Sequence, residues 1–313
     1  RGYAGFVSCR SCGEVMKCPH CDVSLSEHKG GRLICHYCGY TQPMPKLCPK
    51  CGSKYILGFK AGTQQIEEKL KELYPGVRTL RMDADTTRTK DSYEKILSSF
   101  ANGEADVLIG TQMIVKGHDF PKVTLVGILA ADLSLNASDY RAGERTFQLL
   151  TQAVGRAGRG VLPGEAVIQT YQPDHYAITC AAAQDYESFY QEEILYRELS
   201  GYPPVAHMLA VQIYGKEEEN VKQLALRLTD VVKSNMDFLS GKQKEQSNKK
   251  IQVLGPAPAN ISKINDIYRY VFYVKHAEYD VLVEVKDRLE ETLRQWQPRQ
   301  MSIQFDFDPV SVL

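Results

Sequence analysis

Eight of the nine cysteines in this 313-residue chain fall in four Cys-x-x-Cys pairs near its start: Cys9/Cys12, Cys18/Cys21, Cys35/Cys38 and Cys48/Cys51. Two residues between thiolates let one tight turn aim both at a single ion. The glycines after Cys12, Cys38 and Cys51 supply the backbone freedom that such knuckles use. Eight thiolates make two closed tetrahedral sites with no open position for a reacting group, so both metals are expected to be structural. Zinc is the expected ion, with an iron–sulfur cluster as the alternative. The five-residue gap between Cys12 and Cys18 is short for the first two pairs to close on one ion, whereas the thirteen residues between Cys21 and Cys35 are ribbon-like. A nested arrangement follows: Cys9, Cys12, Cys48 and Cys51 hold one ion, and Cys18, Cys21, Cys35 and Cys38 the other. Sequential pairing is the competing arrangement. His20, His28 and His36 read as surface or outer residues, since thiolates already fill both sites. Cys180, on a helical stretch over 177–183, reads as a small buried hydrophobe.

A second set of residues belongs to phosphate chemistry. In GTQMIVKGHDF (110–120) a strand over 106–110 delivers Thr111 and Gln112 to a sheet edge, and Gly117 gives a turn that places His118 and Asp119. In QAVGRAGR (152–159) a helix carries Gln152 and Arg156 on one face, and glycines leave Arg156 and Arg159 to point across a cleft. Two forked, permanently charged donors are what a γ-phosphate in transfer requires. Other polar residues have plain readings beside functional ones. Thr63 reads as a helix N-cap, Thr86 and Thr87 as turn and capping residues, and Glu144 and Arg145 as partners on a helix surface. Lys116 reads equally as a phosphate contact or as a solvated loop lysine.

The elements that must position these residues alternate. A helix over 63–73, with Ile66, Leu70 and Leu73 at helical spacing, is closed by Pro75-Gly76. A strand over 77–82, a helix over 89–100, strands over 106–110 and 123–130, a helix over 143–157 and a strand over 165–171 follow. This order implies a parallel sheet covered on both faces, with ligands at the carboxyl ends of its strands. A long polar helix over 175–199 leads to Gly201-Tyr202-Pro203-Pro204, a domain boundary. Beyond it the order is strand 208–214, helix 217–238, a polar turn over 240–250, strands 251–254 and 268–275, helix 278–296 and strand 301–307. That is a β-α-β-β-α-β sandwich of ferredoxin-like or ribosomal-protein-like kind. In its third strand Tyr268, Arg269, Tyr270 and Tyr273 interleave aromatic and basic groups, which suits stacking on unpaired bases, although alternating tyrosine is also ordinary half-buried strand chemistry.

Bulk composition narrows the class. The chain has 38 Lys/Arg against 38 Asp/Glu and is 43% hydrophobic, an ordinary globular balance for two or three domains. Residues 1–57 carry 8 basic against 3 acidic side chains, so the positive excess sits on the cysteine module and favours a polyanionic partner there. No stretch reaches the ~18 apolar residues of a membrane span, and no signal peptide is evident. Paired knuckles fit a reducing cytosol better than disulfides. The sequence opens at Arg1 without an initiator Met, so it reads as an excised piece of something longer. Nothing calls for an obligate dimer, and a monomer is expected.

Taken in order, RGY, the eight knuckle cysteines, FKAGTQQIEEKL, RMDADTT, the GTQ string, AADLSLNASDYRAGERTFQLLTQAVGRAGR, GYPP, LGPAPA and the terminal DFDP resemble the primosomal protein N′ (PriA) family of bacterial replication-restart helicases. The resemblance runs essentially from Arg1 to Leu313 and is specific, because zinc knuckles interrupt a superfamily 2 motor lobe. It implies a RecA-like lobe, with 1–8 as its first strand, 9–57 as the two-zinc module and 58–200 as the rest of the second lobe. Residues 201–313 form the C-terminal DNA- and partner-binding domain. It implies a cytoplasmic, ATP-dependent 3′-to-5′ DNA helicase that recognises stalled forks, remodels them and restarts replication by primosome assembly. The implied cofactors are two Zn2+, with ATP and Mg2+ in the full-length protein. The implied partners are forked and single-stranded DNA, single-strand-binding protein, primosome proteins and the replicative helicase loader.

By the same resemblance the zinc pairing is nested, and Arg156 and Arg159 sense the γ-phosphate. Gly117 and Asp119 link nucleotide to strand, with Gln152 beside them on the nucleotide side. Gly62, Thr63, Thr111 and Gln112 contact the sugar-phosphate backbone, and Tyr268, Arg269 and Tyr270 help the last domain engage branched DNA. The sequence departs from the family in one respect: it contains no G-x-x-x-x-G-K-[ST] loop and no acidic box ahead of the cysteines. The first motor lobe and the amino-terminal DNA-binding domains are expected to lie outside it, leaving this chain alone inactive toward ATP. A non-catalytic zinc-ribbon module for DNA binding or primosome docking is the competing function.

Overall fold

Short strands are all that the cysteine-rich segment builds, because turns recur every few residues to aim its thiols. In the computed structural model, β1 (Val7–Cys9) pairs antiparallel with β5 (Ile56–Gly58), and β2 (Ser26–His28), β3 (Arg32–Ile34) and β4 (Thr41–Pro43) form a three-stranded antiparallel sheet. The structure describes residues 7–310 apart from 10, 29–30, 36, 59–61, 88, 116–119, 136–138 and 235–249. Two compact units result: one holds 24–136 and 144–186 with the start of the chain, the other 187–313 with 18–23 and 137–143. Among the described residues no helix is long and apolar enough to cross a membrane.

In the first unit α1 (Thr63–Leu73), β6 (Thr79–Met82), α2 (Ser92–Ala101) and β7 (Val107–Gly110) make a unit with β6 and β7 parallel in register, Met82 opposite Gly110. A 3-10 turn (Gln112–Val115) follows. Then β8 (Leu125–Ile128), the short α3 (Asp132–Leu135), α4 (Ala142–Val154) and β9 (Glu165–Ile168) place β8 parallel to β9. The expected parallel architecture is present as two parallel pairs among the described residues. Both faces are not covered, since Leu125 and Val167 remain 62% and 51% exposed on the β8–β9 pair.

Two helix boundaries differ from expectation. The helix over 175–199 is two: α5 (Tyr176–Ala183) ends at Gln184 in the left-handed region, where Asp185 N–H returns to the Cys180 carbonyl, and α6 (Tyr186–Ser200) starts anew. Glutamine at a position that glycine usually occupies conceals such a stop. Helix α4 ends at Val154, so Arg156 lies in the turn after the helix rather than on its face.

The second unit matches the β-α-β-β-α-β order: β10 (His207–Gly215), α7 (Glu218–Ser234), β11 (Gln252–Ile264), β12 (Ile267–His276), α8 (Tyr279–Trp296) and β13 (Met301–Phe307). Its antiparallel sheet runs β11-β12-β10-β13, the ferredoxin-like arrangement. Alternate strand residues Leu209, Val211, Ile213, Phe272 and Val274 meet Leu224, Leu228, Leu282 and Leu289 of the two helices in one apolar core. Strand β11 is longer than the four residues expected. It carries Pro256 and Pro258 through register shifts on the sheet edge, where a missing N–H costs no ladder bond.

Candidate metal centre and motor-lobe site

The cysteine sulfurs converge in the nested pattern. Within each of two groups, Cys9/Cys12/Cys48/Cys51 and Cys18/Cys21/Cys35/Cys38, all ligand atoms lie within 4.8 Å of one another. In the first group Cys9 Sγ stands 3.6 Å from Cys51 Sγ and Cys12 Sγ 3.7 Å from Cys48 Sγ. Those separations far exceed a disulfide bond and match the edge of a tetrahedron built on zinc–sulfur bonds of about 2.3 Å. The donor chemistry fits as well. Burial pushes the Cys9 thiol up, but N–H groups of Cys12 and Ser11 outweigh it and bring it to about 6. Cys51 accepts an N–H from Ser53, which favours its thiolate, yet the sulfurs of Cys12, Cys9 and Cys48 prevail and push it up to about 12. Four crowded thiols cannot all ionise without a cation, and a dication supplies what the group lacks. Few aliphatics support this region: among the described residues Val7, Leu25 and Leu33 are its fully buried ones, beside Cys9, Cys21 and Cys35.

Three knuckles are followed by glycine and one is not; Asp22 follows Cys21. His20, expected as a surface or outer residue, is hydrogen-bonded through Nδ1 to Asp266 Oδ2 at 2.7 Å. This engagement has no signature in spacing, since 246 residues separate the two.

In the first unit the residues after β7 and after α4 approach each other. Arg156 Nη2 donates to the Val115 carbonyl at 2.5 Å, tying the end of the 3-10 turn to the glycine-rich turn. Arg159 is exposed, and its Nε donates to the Gly155 carbonyl at 2.6 Å, which fixes the root of the side chain. Glycine is required here by close approach: a Cβ on Gly164 would stand 2.0 Å from Gly158 N, and one on Gly160 would stand 2.1 Å from the Pro121 carbonyl oxygen. Gln152 is exposed on α4, Thr111 is half-buried at the end of β7, and Gln112 is exposed at the start of the 3-10 turn. Lys116, Gly117 and Asp119, with His118, lie outside the described residues. Glu144 pairs along the helix with Gln148.

Gly62 is the extended N-cap of α1 and Thr63 its first residue, so Thr63 is not the cap. Its hydroxyl instead donates to Asp83 Oδ2 at 2.5 Å. Asp83 organises the DADTT turn: its Oδ1 accepts the N–H groups of Asp85 and Thr86, and Arg81 stands 3.0 Å from Oδ2. Burial pushes the Asp83 carboxyl up, but the Thr63, Thr86, Arg81 and Asp85 interactions outweigh it and hold it below the usual range. A depressed carboxyl contributes stability that is present above its unfolded value of about 3.9 and lost as pH falls through the folded value. Asp83→Asn is therefore expected to lower stability by about 1–3 kcal/mol at neutral pH and to flatten the acid limb, read by urea melts between pH 3 and pH 7. Equal acid limbs in variant and wild type would contradict this.

In the last domain the proposed platform residues separate. Tyr270 and Tyr268 face the helices and pack on the core, with Tyr270 Oη 3.5 Å from Glu218 Oε1. Arg269 lies on the opposite face, its guanidinium 5.7 Å from the Tyr214 ring centre. The three therefore do not form one stacking surface, because successive strand residues point to opposite faces. A cluster that motif reading missed lies nearby. Tyr140 and Tyr202 stack at 5.0 Å, Arg197 sits over Tyr140, and Lys275 Nζ lies 3.8 Å over Tyr202 while donating to the Ser200 carbonyl. Burial lowers the Lys275 pKa.

Three family models match in chain order: the PriA DNA helicase Cys-rich region domain over residues 18–43, the helicase conserved C-terminal domain over 47–161 and the primosomal protein N C-terminal domain over 198–310. Together with the geometry they define a mixed α/β helicase C-terminal domain bearing a cysteine-rich zinc module. Replication restart protein PriA of Bacillus subtilis (strain 168) is 43% identical over 315 residues, covering all of this chain and 38% of that protein. The protein of the same name from Synechocystis is 40% identical, covering all of this chain and 36% of that protein; the one from Chlamydia pneumoniae is 41% identical, covering 99% and 40%. The chain belongs to the replication restart protein PriA family, and it spans well under half the length of these relatives.

Proposed function

We propose that this chain is the C-terminal part of an ATP-dependent 3′-to-5′ DNA helicase that recognises and remodels stalled forks and restarts replication by primosome assembly. The observation that carries the reading is the pairing of Arg156 and Arg159 on a glycine-rich turn whose backbone approaches leave no room for side chains, joined to the strand-end turn through Val115. Such a turn offers two guanidinium groups to one wall of a nucleotide cleft. Arg156, Arg159 and Gln152 take the nucleotide side with Gly117 and Asp119, while Gly62, Thr63, Thr111, Gln112 and Lys116 take the sugar-phosphate backbone. The two four-cysteine groups hold structural Zn2+, and ATP with Mg2+ binds the full-length protein. Forked and single-stranded DNA, single-strand-binding protein and the helicase loader are its partners, and the protein acts as a cytoplasmic monomer. Residues 9–57, 58–200 and 201–313 serve as zinc module, second lobe and DNA- and partner-binding domain.

The test is strand displacement on labelled forks by the full-length protein. ATP-dependent unwinding with 3′-to-5′ polarity is expected, with no ATP turnover by residues 1–313 alone, because their sequence has no phosphate loop. Full-length protein that binds forks without hydrolysing ATP would favour a zinc-dependent adaptor instead.

A further inference from the structure

Three of the four knuckles close on themselves. Gly13, Gly39 and Gly52 adopt positive φ of 77°, 77° and 72°. Their N–H groups donate to the carbonyls of Cys9, Cys35 and Cys48 at 2.9, 3.0 and 2.9 Å. The fourth knuckle keeps the other closing bond, from Cys18 N–H to the Val23 carbonyl at 2.9 Å, as Cys9, Cys35 and Cys48 keep theirs at 2.8 Å. Its turn donor goes elsewhere. A residue with a Cβ takes the left-handed conformation reluctantly, and Asp22 directs its N–H to the Lys263 carbonyl at 2.8 Å.

Lys263 lies beside the two-residue turn between β11 and β12, where Asn265 and Asp266 have φ of 50° and 58°. That conformation suits a tight hairpin of the type asparagine and aspartate tolerate. The same hairpin engages every residue from Pro19 to Asp22. Asn265 N–H donates to Cys21 Sγ at 3.2 Å, Asp266 N–H to the His20 carbonyl at 2.9 Å, and Lys263 Nζ to the Pro19 carbonyl at 3.0 Å. Ser262 Oγ donates to Asp22 Oδ2 at 2.9 Å, and His20 Nδ1 meets Asp266 Oδ2 at 2.7 Å.

We propose that residues 262–266 of the C-terminal domain complete the Cys18–Cys21 knuckle and act as a positioning element for its metal, so that this site keeps its ion only while the hairpin holds it. The physical reason is orientation. An N–H aimed at a thiolate stabilises its charge and fixes its direction, and outer partners of this kind are worth roughly 10–100-fold in metal affinity. The inference rests on the two-zinc reading above. The Cys9/Cys12/Cys48/Cys51 group, whose knuckles both end in glycine, is the internal control.

The experiment uses the zinc-loaded 313-residue chain, wild type beside Ser262→Ala/Lys263→Met/Asp266→Gly. Alkylation by N-ethylmaleimide under chelator is followed cysteine by cysteine by mass spectrometry, with released zinc read by a chromogenic chelator. Capture of Cys18 and Cys21 is expected to accelerate on the order of tenfold while Cys9, Cys12, Cys48 and Cys51 keep their rates. Adding Asp22→Gly restores self-closure and is expected to slow capture again. Equal rates in variant and wild type, or equal acceleration of all eight cysteines, would overturn the proposal while leaving two zinc ions per chain. A wild-type chain that binds no zinc would overturn both readings. If the triple variant does not fold, Asp266→Asn shows the same asymmetry at smaller size.

Discussion

Stripping zinc is expected to unfold residues 9–57 while the β10–β13 domain keeps its structure. The magnitude follows from how little else supports the module: its strands are three residues long and, among the described residues, its fully buried aliphatics are Val7, Leu25 and Leu33. A structural zinc site in a small module contributes apparent binding energy of about 10–16 kcal/mol, and that energy is folding energy. The C-terminal core, by contrast, is closed by packed apolar side chains, among them Phe272, Leu209, Leu228 and Leu289. Hydrogen exchange before and after chelation distinguishes the two regions. Loss of protection confined to β1–β5, with two zinc ions released per chain, is the expected result. The same substitution logic applies to Cys35→Ser, which buries a hydroxyl where a thiolate ligand stood and is expected to lose one ion of the two. Strands β2–β4 that stay protected after complete metal removal would show that the cysteines hold nothing essential.

The pairing of the cysteines was legible because ligand spacing is a local property: two residues between thiols and a glycine behind them describe a knuckle wherever it occurs. The order of strands and helices in the C-terminal domain was legible for a similar reason, since Met208–Ile213 is a short, nearly continuous apolar run, as a strand inside a sheet and buried on both faces carries. What spacing hides is the partner brought in from far along the chain. Thr63 looked like a helix cap, but its hydroxyl is taken by Asp83, twenty residues on. Tyr268, Arg269 and Tyr270 looked like a joint platform, and the pleat sends Arg269 away from its neighbours. The break at Gln184 went unseen because a left-handed stop usually announces itself with glycine. Asp22 shows the reverse case: the glycine missing after Cys21 was visible, and its meaning was not, until Lys263 stood beside it.

In full-length protein, Arg159→Ala is expected to reduce DNA-stimulated ATP turnover on the order of 10³-fold or more while fork binding is retained, because an arginine that meets the transferring phosphoryl group contributes on that scale. Arg159 suits the role better than its neighbour. It is exposed, its root is held by the Gly155 carbonyl, and the turn that carries it is packed so closely that Gly158, Gly160 and Gly164 accept no side chain. Arg156 is half-buried and spends one nitrogen on Val115, so it also joins the turn to the residues that follow β7. Arg156→Ala is therefore expected to disturb coupling of hydrolysis to DNA as well as turnover. Lysine should not replace Arg159, since a point charge cannot reproduce a planar fork. Turnover and fork affinity measured side by side decide the matter. Undiminished ATP hydrolysis by Arg159→Ala would remove the motor reading from this turn and leave the zinc module as the chain's principal contribution.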